Sequence, residues 1–437
     1  MAKTEAPCGL CCLKAHRQTP TERGADPLMN AKKDTIWTRN FLCIMLANLC
    51  LSLAHTSVNT LVSSYAETLG AAPVLIGMLT GIFFGIAVLE RPFTGPLIPK
   101  YDNRTLSIIF YAVGIVAYAG YALTNTVGAF LVFRVVNGIQ YGMVGVLNLT
   151  IASNSLPESK IGSGIGIFGL ANSISQSFGP AIGAALLGIG TKAGNAMAGF
   201  RYVFLFATAV MTLALIPLFL LKSEKKTARA RTSVGPWYKS IIAPSVLPAT
   251  VMILLLMMSY TLYSAYLVPY ARTIGVSGVS IFFTVSALLM LVTKPLSGRL
   301  SDKFGLLSVI LPSAVSLMIS FVIVAFARSL PMMLVGAFFT ALGQGGTYPA
   351  LQAMGIQCMP PEKRGIASNT LFFGIDLGFF LGPVLGSLVY PKTSYSTMYL
   401  TALIPCAALI AILFLSWPAF KRRRAELEAA AAESGDS

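Results

Sequence analysis

Apolar stretches of about 20 residues, each long enough to cross a bilayer core as a helix, recur twelve times between charged or Pro/Gly breaks. They lie at 38–64, 73–98, 104–124, 127–152, 160–189 and 199–221, then at 244–271, 276–300, 304–327, 329–358, 362–390 and 395–418. The pattern predicts an all-α membrane protein of twelve transmembrane helices in two pseudo-symmetric six-helix bundles. The predicted order is a tail (1–36), a first bundle (37–221), a basic linker (222–243), a second bundle (244–420) and a closing tail (421–437).

The two halves repeat each other at an offset of about 203 residues. Arg91-Pro-Phe-Thr-Gly95-Pro-Leu97 matches Lys294-Pro-Leu-Ser-Gly298-Arg-Leu300, and Pro157-Glu-Ser-Lys160 matches Pro361-Glu-Lys-Arg364. Gly179-Pro180 in span five matches Gly382-Pro383 in span eleven. Such parallel repeats relate two halves of one chain about an axis normal to the membrane.

Composition agrees with the bilayer reading. Hydrophobic residues make up 55% and charged residues 11%, whereas soluble domains carry about 25% charged residues. The net charge of +16 does not imply nucleic acid, because the cations sit in short segments between spans. With the N-terminus inside, 24 of the 32 Lys and Arg fall on the cytoplasmic side and only Lys192, Arg201, Arg272, Arg328 and Lys392 outside. That asymmetry predicts a multi-pass protein of the cell membrane with both termini cytoplasmic. Trp37, Trp237 and Trp417 then mark the inner interface.

The seven cysteines are scattered and suggest no disulfide framework. Cys8, Cys11, Cys12 and His16 have metal-like spacing, but no second ligand pair follows, so no metal is expected. Residues 1–36 lack the apolar core of a cleaved leader. No phosphate loop, HExxH or Ser-His-Asp elbow is present, so neither an enzyme nor a cofactor is expected.

One segment is more specific. Gly298-Arg-Leu300-Ser-Asp302-Lys303-Phe304-Gly305, between spans eight and nine, resembles the loop signature of the major facilitator superfamily, G-x-L-x-D-[RK]-[FY]-G. A glycine permits a tight turn, an aspartate can face a helix N-terminus, and a cation can hold a carboxylate. The resemblance implies a gating latch at Gly298, Asp302, Lys303 and Gly305. The equivalent stretch of the first half reads Gly95-Pro-Leu97-Ile-Pro99-Lys100-Tyr101-Asp102, with Pro99 at the aspartate position and Asp102 as its candidate substitute.

In span four, Arg134-x-x-Asn137-Gly138-x-x-Tyr141-Gly142 is similar to the family element whose buried arginine is tied to proton coupling. The alternative is an arginine that snorkels to the outer interface. Ser175 to Gly183, around Gly179 and Pro180, resembles the glycine-proline element of the antiporter branch, and Gly378 to Gly386, around Gly382 and Pro383, repeats it. Close helix packing without any antiport meaning is the alternative. Span one resembles drug antiporters around His55 and Asn59, with Ala54 where those proteins often carry aspartate. His55 either titrates or hydrogen-bonds inside the bundle.

Ionisable residues inside spans are costly and mark function by default. Five remain once loops are removed: Glu90, Arg91, Arg134, Lys294 and Asp376. The family architecture sets span two against span eleven and span five against span eight. At 1.5 Å per residue about 9 Å of height separates Asp376 from Arg91, within reach of an arginine. Asp376 is therefore expected to face Arg91 or Glu90 and to carry a proton, or else to form a permanent structural ion pair, while Lys294 belongs to the other seam. Tyr263, Tyr266, Gln344 and Tyr348, with Asn59, Asn137, Tyr141 and Lys294, are the substrate-cavity candidates, since aromatic faces with polar tips suit an amphipathic solute. The resemblance implies a monomeric secondary transporter in the lipid bilayer, exchanging protons for small amphipathic molecules. An uptake permease of the same fold is the main alternative, and a non-transporting sensor a remote one.

Overall fold

The computed structural model describes residues 35–192, 195–223, 241–389 and 393–435. The predicted cysteine and histidine tail and most of the central linker, with Trp237, lie outside the described residues. The described residues from Ile36 onward group as one compact unit.

The first half contains α1 (Arg39–Asn59), α2 (Val62–Thr68), α3 (Pro73–Lys100), α4 (Asn103–Leu123), α5 (Val127–Asn154), α6 (Ile161–Phe168), α7 (Leu170–Lys192) and α8 (Ala196–Leu220). The second contains α9 (Leu247–Thr273), α10 (Ser280–Phe304), α11 (Leu307–Ala325), α12 (Leu330–Gln357), α13 (Arg364–Val389), α14 (Tyr395–Thr401) and α15 (Leu403–Gly435). Helices are the expected element here, because a helix satisfies its own backbone hydrogen bonds where no water can. Among the described residues nine helical segments are long and apolar enough to cross a membrane by length and composition. With α3, the α6–α7 pair and α12 they make the twelve-span, two-bundle fold. Asn172, Ser173 and Gln176 dilute the apolar character of α7, as Gln344, Gln352 and several glycines do that of α12.

Three predicted spans are interrupted. The first breaks after Asn59 into α1 and α2, the fifth at Gly169 into α6 and α7, and the twelfth at Ala402 into α14 and α15. The closing tail is not separate either. Helix α15 runs through it to Gly435, supported by Arg422–Glu426 and Arg424–Glu428 pairs one turn apart.

Leu89, Phe93, Leu123, Val292, Ile404 and Leu415 stand exposed around the outside, an apolar surface suited to lipid. Inside the first bundle Asn148 donates to Asn48 and Tyr111, and Asn172 accepts from Ser52, which ties α1, α4, α5 and α7 together. Gly179 and Gly183 of α7 lie against Thr56 and Ser57 of α1, and Gly382 of α13 lies against Met258 and Thr261 of α9. The paired glycine-proline elements thus perform the same job in each half, close packing of a seam-lining span on a neighbour within its own bundle.

The halves meet along two seams. In one, α13 packs on α3 and α5; in the other, α10 packs on α6 and α7 and α12 touches α6. Arg91, Asp302, Lys294, Arg364 and Asn369 anchor the hydrogen bonds between halves found among the described residues. By helix position these lie toward the end where the linker attaches, hereafter the linker end, with Asp376 the outermost.

Candidate functional site

Helix α3 presents Glu90 and Arg91 to α13. Arg91 is 1% exposed and Asp376 2%. The guanidinium holds one carboxylate oxygen through two nitrogens, Nε at 3.0 Å and Nη2 closer still, and its Nη1 donates to the Gly142 carbonyl of α5 at 2.9 Å. Two helices of the first half and one of the second are therefore clamped through one side chain. The height difference expected between Asp376 and Arg91 is spanned by the arginine's length. Arg91 also lies 5.3 Å from the Phe372 ring centroid, and Asn369 donates to the Arg91 carbonyl at 3.1 Å.

Glu90 does not pair with Asp376 or Arg91. Its Oε1 accepts from Thr94 one turn along, while its Oε2 is buried without a partner. Phe84 and Phe379 stack almost parallel across the same seam at 4.9 Å, on the side away from the linker end. Tyr141 and Tyr348 lie within electrostatic range of Asp376 from either half.

Arg134 does not snorkel. It is 1% exposed, donates to the Asn59 side chain at 2.8 Å and lies 4.4 Å over the Phe83 ring. Phe83, His55 and Tyr141 pack as one cluster, with ring centroids 5.1 Å from Phe83 to His55, 4.3 Å from His55 to Tyr141 and 5.2 Å from Phe83 to Tyr141. Arg134 caps this cluster and joins it to Asn59. Asn137 donates to Gln140 at 3.4 Å on the same helix as Arg134 and Tyr141.

Tyr263 is packed in the bundle core: its hydroxyl meets Ser320 at 2.9 Å and its ring stacks on Phe321 and Tyr399. Tyr266 donates to the Pro383 carbonyl at 2.7 Å. Gln344 donates to Met257 sulfur at 3.7 Å and Tyr348 accepts from Gln352 at 3.0 Å. Regular tyrosine spacing marks a buried face equally well whether it meets a neighbour in the bundle or a cavity, which is why Tyr263 misled.

The signature segment is mostly helix. Gly298 to Phe304 closes α10, and only Gly305, with φ of 88°, makes the turn. At Gly298 a side chain would come within 2.5 Å of the Gly162 carbonyl, so glycine there serves close approach of the halves. Asp302 accepts from the backbone N–H groups of Gly162 and Ser163 at 2.9 and 2.8 Å, at the start of α6. Lys303 holds no carboxylate among the described residues; it lies 5.1 Å over the Phe304 ring. Asp102 is no substitute latch between halves, because it caps α4 through Thr105 and accepts from Ser223 at the start of the linker.

Asp302→Asn would leave an amide that accepts with one oxygen only. Losing a charge-assisted bond to a helix start costs about 1.5 kcal/mol, roughly a tenfold shift toward a parted seam. Spin labels on Lys160→Cys and Lys303→Cys should report a correspondingly larger long-distance population.

Arg364 of α13 pairs with Glu158 and donates to the Ser153 carbonyl at 2.7 Å, a contact between halves that sequence reasoning missed. Its only sequence signal was the repeated Pro-Glu element at 157 and 361. Lys294, the repeat mate of Arg91, is 5% exposed, and its Nζ donates to the Gly169 carbonyl at 3.1 Å, where span five breaks.

The comparisons with known proteins fit this architecture. The family model described as Major Facilitator Superfamily matches residues 44–282 and 249–435. A relative named multidrug resistance protein MdtG, from Dickeya zeae, is 23% identical over 406 residues, covering 89% of this chain and 96% of its own. The crystal structure of the human organic anion transporter MFSD10 superposes with a TM-score of 0.71 at 18% identity, covering 86% of this chain and 99% of that one. That of the E. coli fucose:proton symporter FucP superposes at 0.66 and 14% identity, covering 86% and 98%. A transporter fold rather than an enzyme, with a family match across nearly its whole length, identifies this chain as a member of the Major Facilitator Superfamily.

Proposed function

We propose that the protein is a proton-coupled secondary transporter that works by alternating access as a monomer and exports small amphipathic molecules across the cell membrane. The observation that carries this reading is the Arg91–Asp376 ion pair, fully buried and placed across the seam between halves. A proton on Asp376 removes the charge that holds the Arg91 guanidinium, so parting of the seam and protonation of Asp376 are linked. Glu90, with its partnerless Oε2, is the second carboxyl within reach of the same events. The cluster of Arg134, Phe83, His55 and Tyr141 lies in the first bundle, with Tyr141 next to the Gly142 carbonyl that Arg91 holds.

The linker end is taken as cytoplasmic on the 24-to-5 distribution of Lys and Arg. Contacts concentrated at that end then correspond to a transporter closed toward the cytoplasm. Likeness in sequence to MdtG, a protein named for multidrug resistance, supports export.

The test is flux of fluorescent amphipathic dyes in proteoliposomes under an imposed pH gradient. Movement of dye against the proton flow is expected. Dye moving with the protons would make the protein an uptake permease, and flux indifferent to the gradient would remove proton coupling.

A further inference from the structure

The repeat that aligns Arg91 with Lys294 also aligns Asp376 with Ser173. In the first seam a cation of α3 meets a carboxylate of α13. In the second, the cation of α10 faces an α7 position where the carboxylate is missing. Lys294 takes part in no ion pair among the described residues; of the three donors of an ammonium, one goes to Gly169. Ser173 is fully buried, and its hydroxyl has no hydrogen-bond partner among the described residues. Its backbone N–H bonds to the same Gly169 carbonyl at 3.4 Å, which puts Ser173 one helical turn beyond the ammonium's acceptor on the same face of the span.

The seam below is tight. Gly162 abuts Gly298, and a side chain at Gly166 would come within 2.5 Å of the Lys294 carbonyl. The ammonium stretches beyond that contact toward Gly169, away from the linker end. A buried cation compensated only by a carbonyl dipole is expensive in a membrane and gains most from an anion.

We propose that the transported molecule carries an anionic group, a carboxylate or sulfonate, that binds Lys294 Nζ and Ser173 Oγ in the place corresponding to the Asp376 carboxylate of the first seam. This rests on the transporter reading above and names its substrate class: an amphipathic organic acid. The charge neutralises Lys294, and the apolar body of the ligand gains from burial between the halves. Lysine suits the role because a compact ammonium accepts one anion or releases it without imposing a planar fork.

Equilibrium binding tests this without any gradient, so its failure is separate from failure of coupled flux. The melting temperature of the purified full chain is measured with 2-naphthoate and with 2-naphthamide, which match in shape and differ in charge. Naphthoate should stabilise the wild type by several degrees and naphthamide should not. Lys294→Gln should abolish the difference and Lys294→Arg should retain part of it. Ser173→Asp supplies a carboxylate in cis, so it should raise the ligand-free melting temperature and remove the naphthoate response. That variant carries the test if Lys294→Gln fails to fold. Equal response to both compounds, no response to naphthoate, or a naphthoate response that survives in Ser173→Asp would overturn the assignment.

Discussion

Asp376→Asn should abolish the acceleration of transport by a pH gradient while leaving substrate binding within about threefold of wild type. Asparagine preserves shape and one acceptor oxygen but cannot gain or lose a proton, so the exchange that links protonation to seam opening is gone. The variant also strands Arg91 in the membrane with only the Gly142 carbonyl and an amide for company. Removing one partner of a buried pair costs about 3 kcal/mol or more when the other charge stays buried. A lower melting temperature is therefore expected alongside the loss of coupling.

Glu90 sets the scale of that loss. It is the residue next to Arg91, and its Oε2 has no partner, so it can take over part of the arginine's charge once Asp376 is neutral. Glu90→Gln together with Asp376→Asn should then be less stable than the sum of the two changes, the coupling expected of groups that share a partner. Gradient-driven flux equal to wild type in Asp376→Asn would end its role as proton carrier.

The architecture was legible because the bilayer imposes it: about 20 apolar residues per span, and no unpaired backbone within. The pairing of Asp376 was legible for a similar reason. A lone carboxylate between Leu371 and Leu381 must find a cation, and few are available at its depth. Breaks at Asn59, Gly169 and Ala402 were not legible, since apolar residues continue on both sides and hydropathy is blind to a change of helix direction. Family spacing led to Asp102 as a latch, whereas the nearest use for an aspartate before a helix is its cap, which Thr105 completes. Phe83, Phe84 and Phe379 stayed invisible because aromatic residues in an apolar run carry no mark of whether they face lipid, core or seam.

Arg134 offers the second large effect. Arg134→Lys keeps the charge and inserts into the same span, yet it gives up two things the structure displays. One is the planar face laid 4.4 Å over Phe83; the other is the directed bond to Asn59 at 2.8 Å. A desolvated cation–π contact is worth about 2 kcal/mol and a hydrogen bond from a charged group about 1.5 to 3, so even partial loss slows transport roughly ten- to hundredfold. Because lysine keeps the charge beside the ring cluster, any remaining flux should still respond to a pH gradient. Phe83→Leu removes the stack and spares the Asn59 bond, so it should fall between wild type and Arg134→Lys. The measurement is initial dye flux in proteoliposomes, with reconstituted protein quantified for each variant. Wild-type flux in Arg134→Lys would show that charge alone suffices at this position and that the arginine's contacts with Asn59 and Phe83 take no part in the transport cycle.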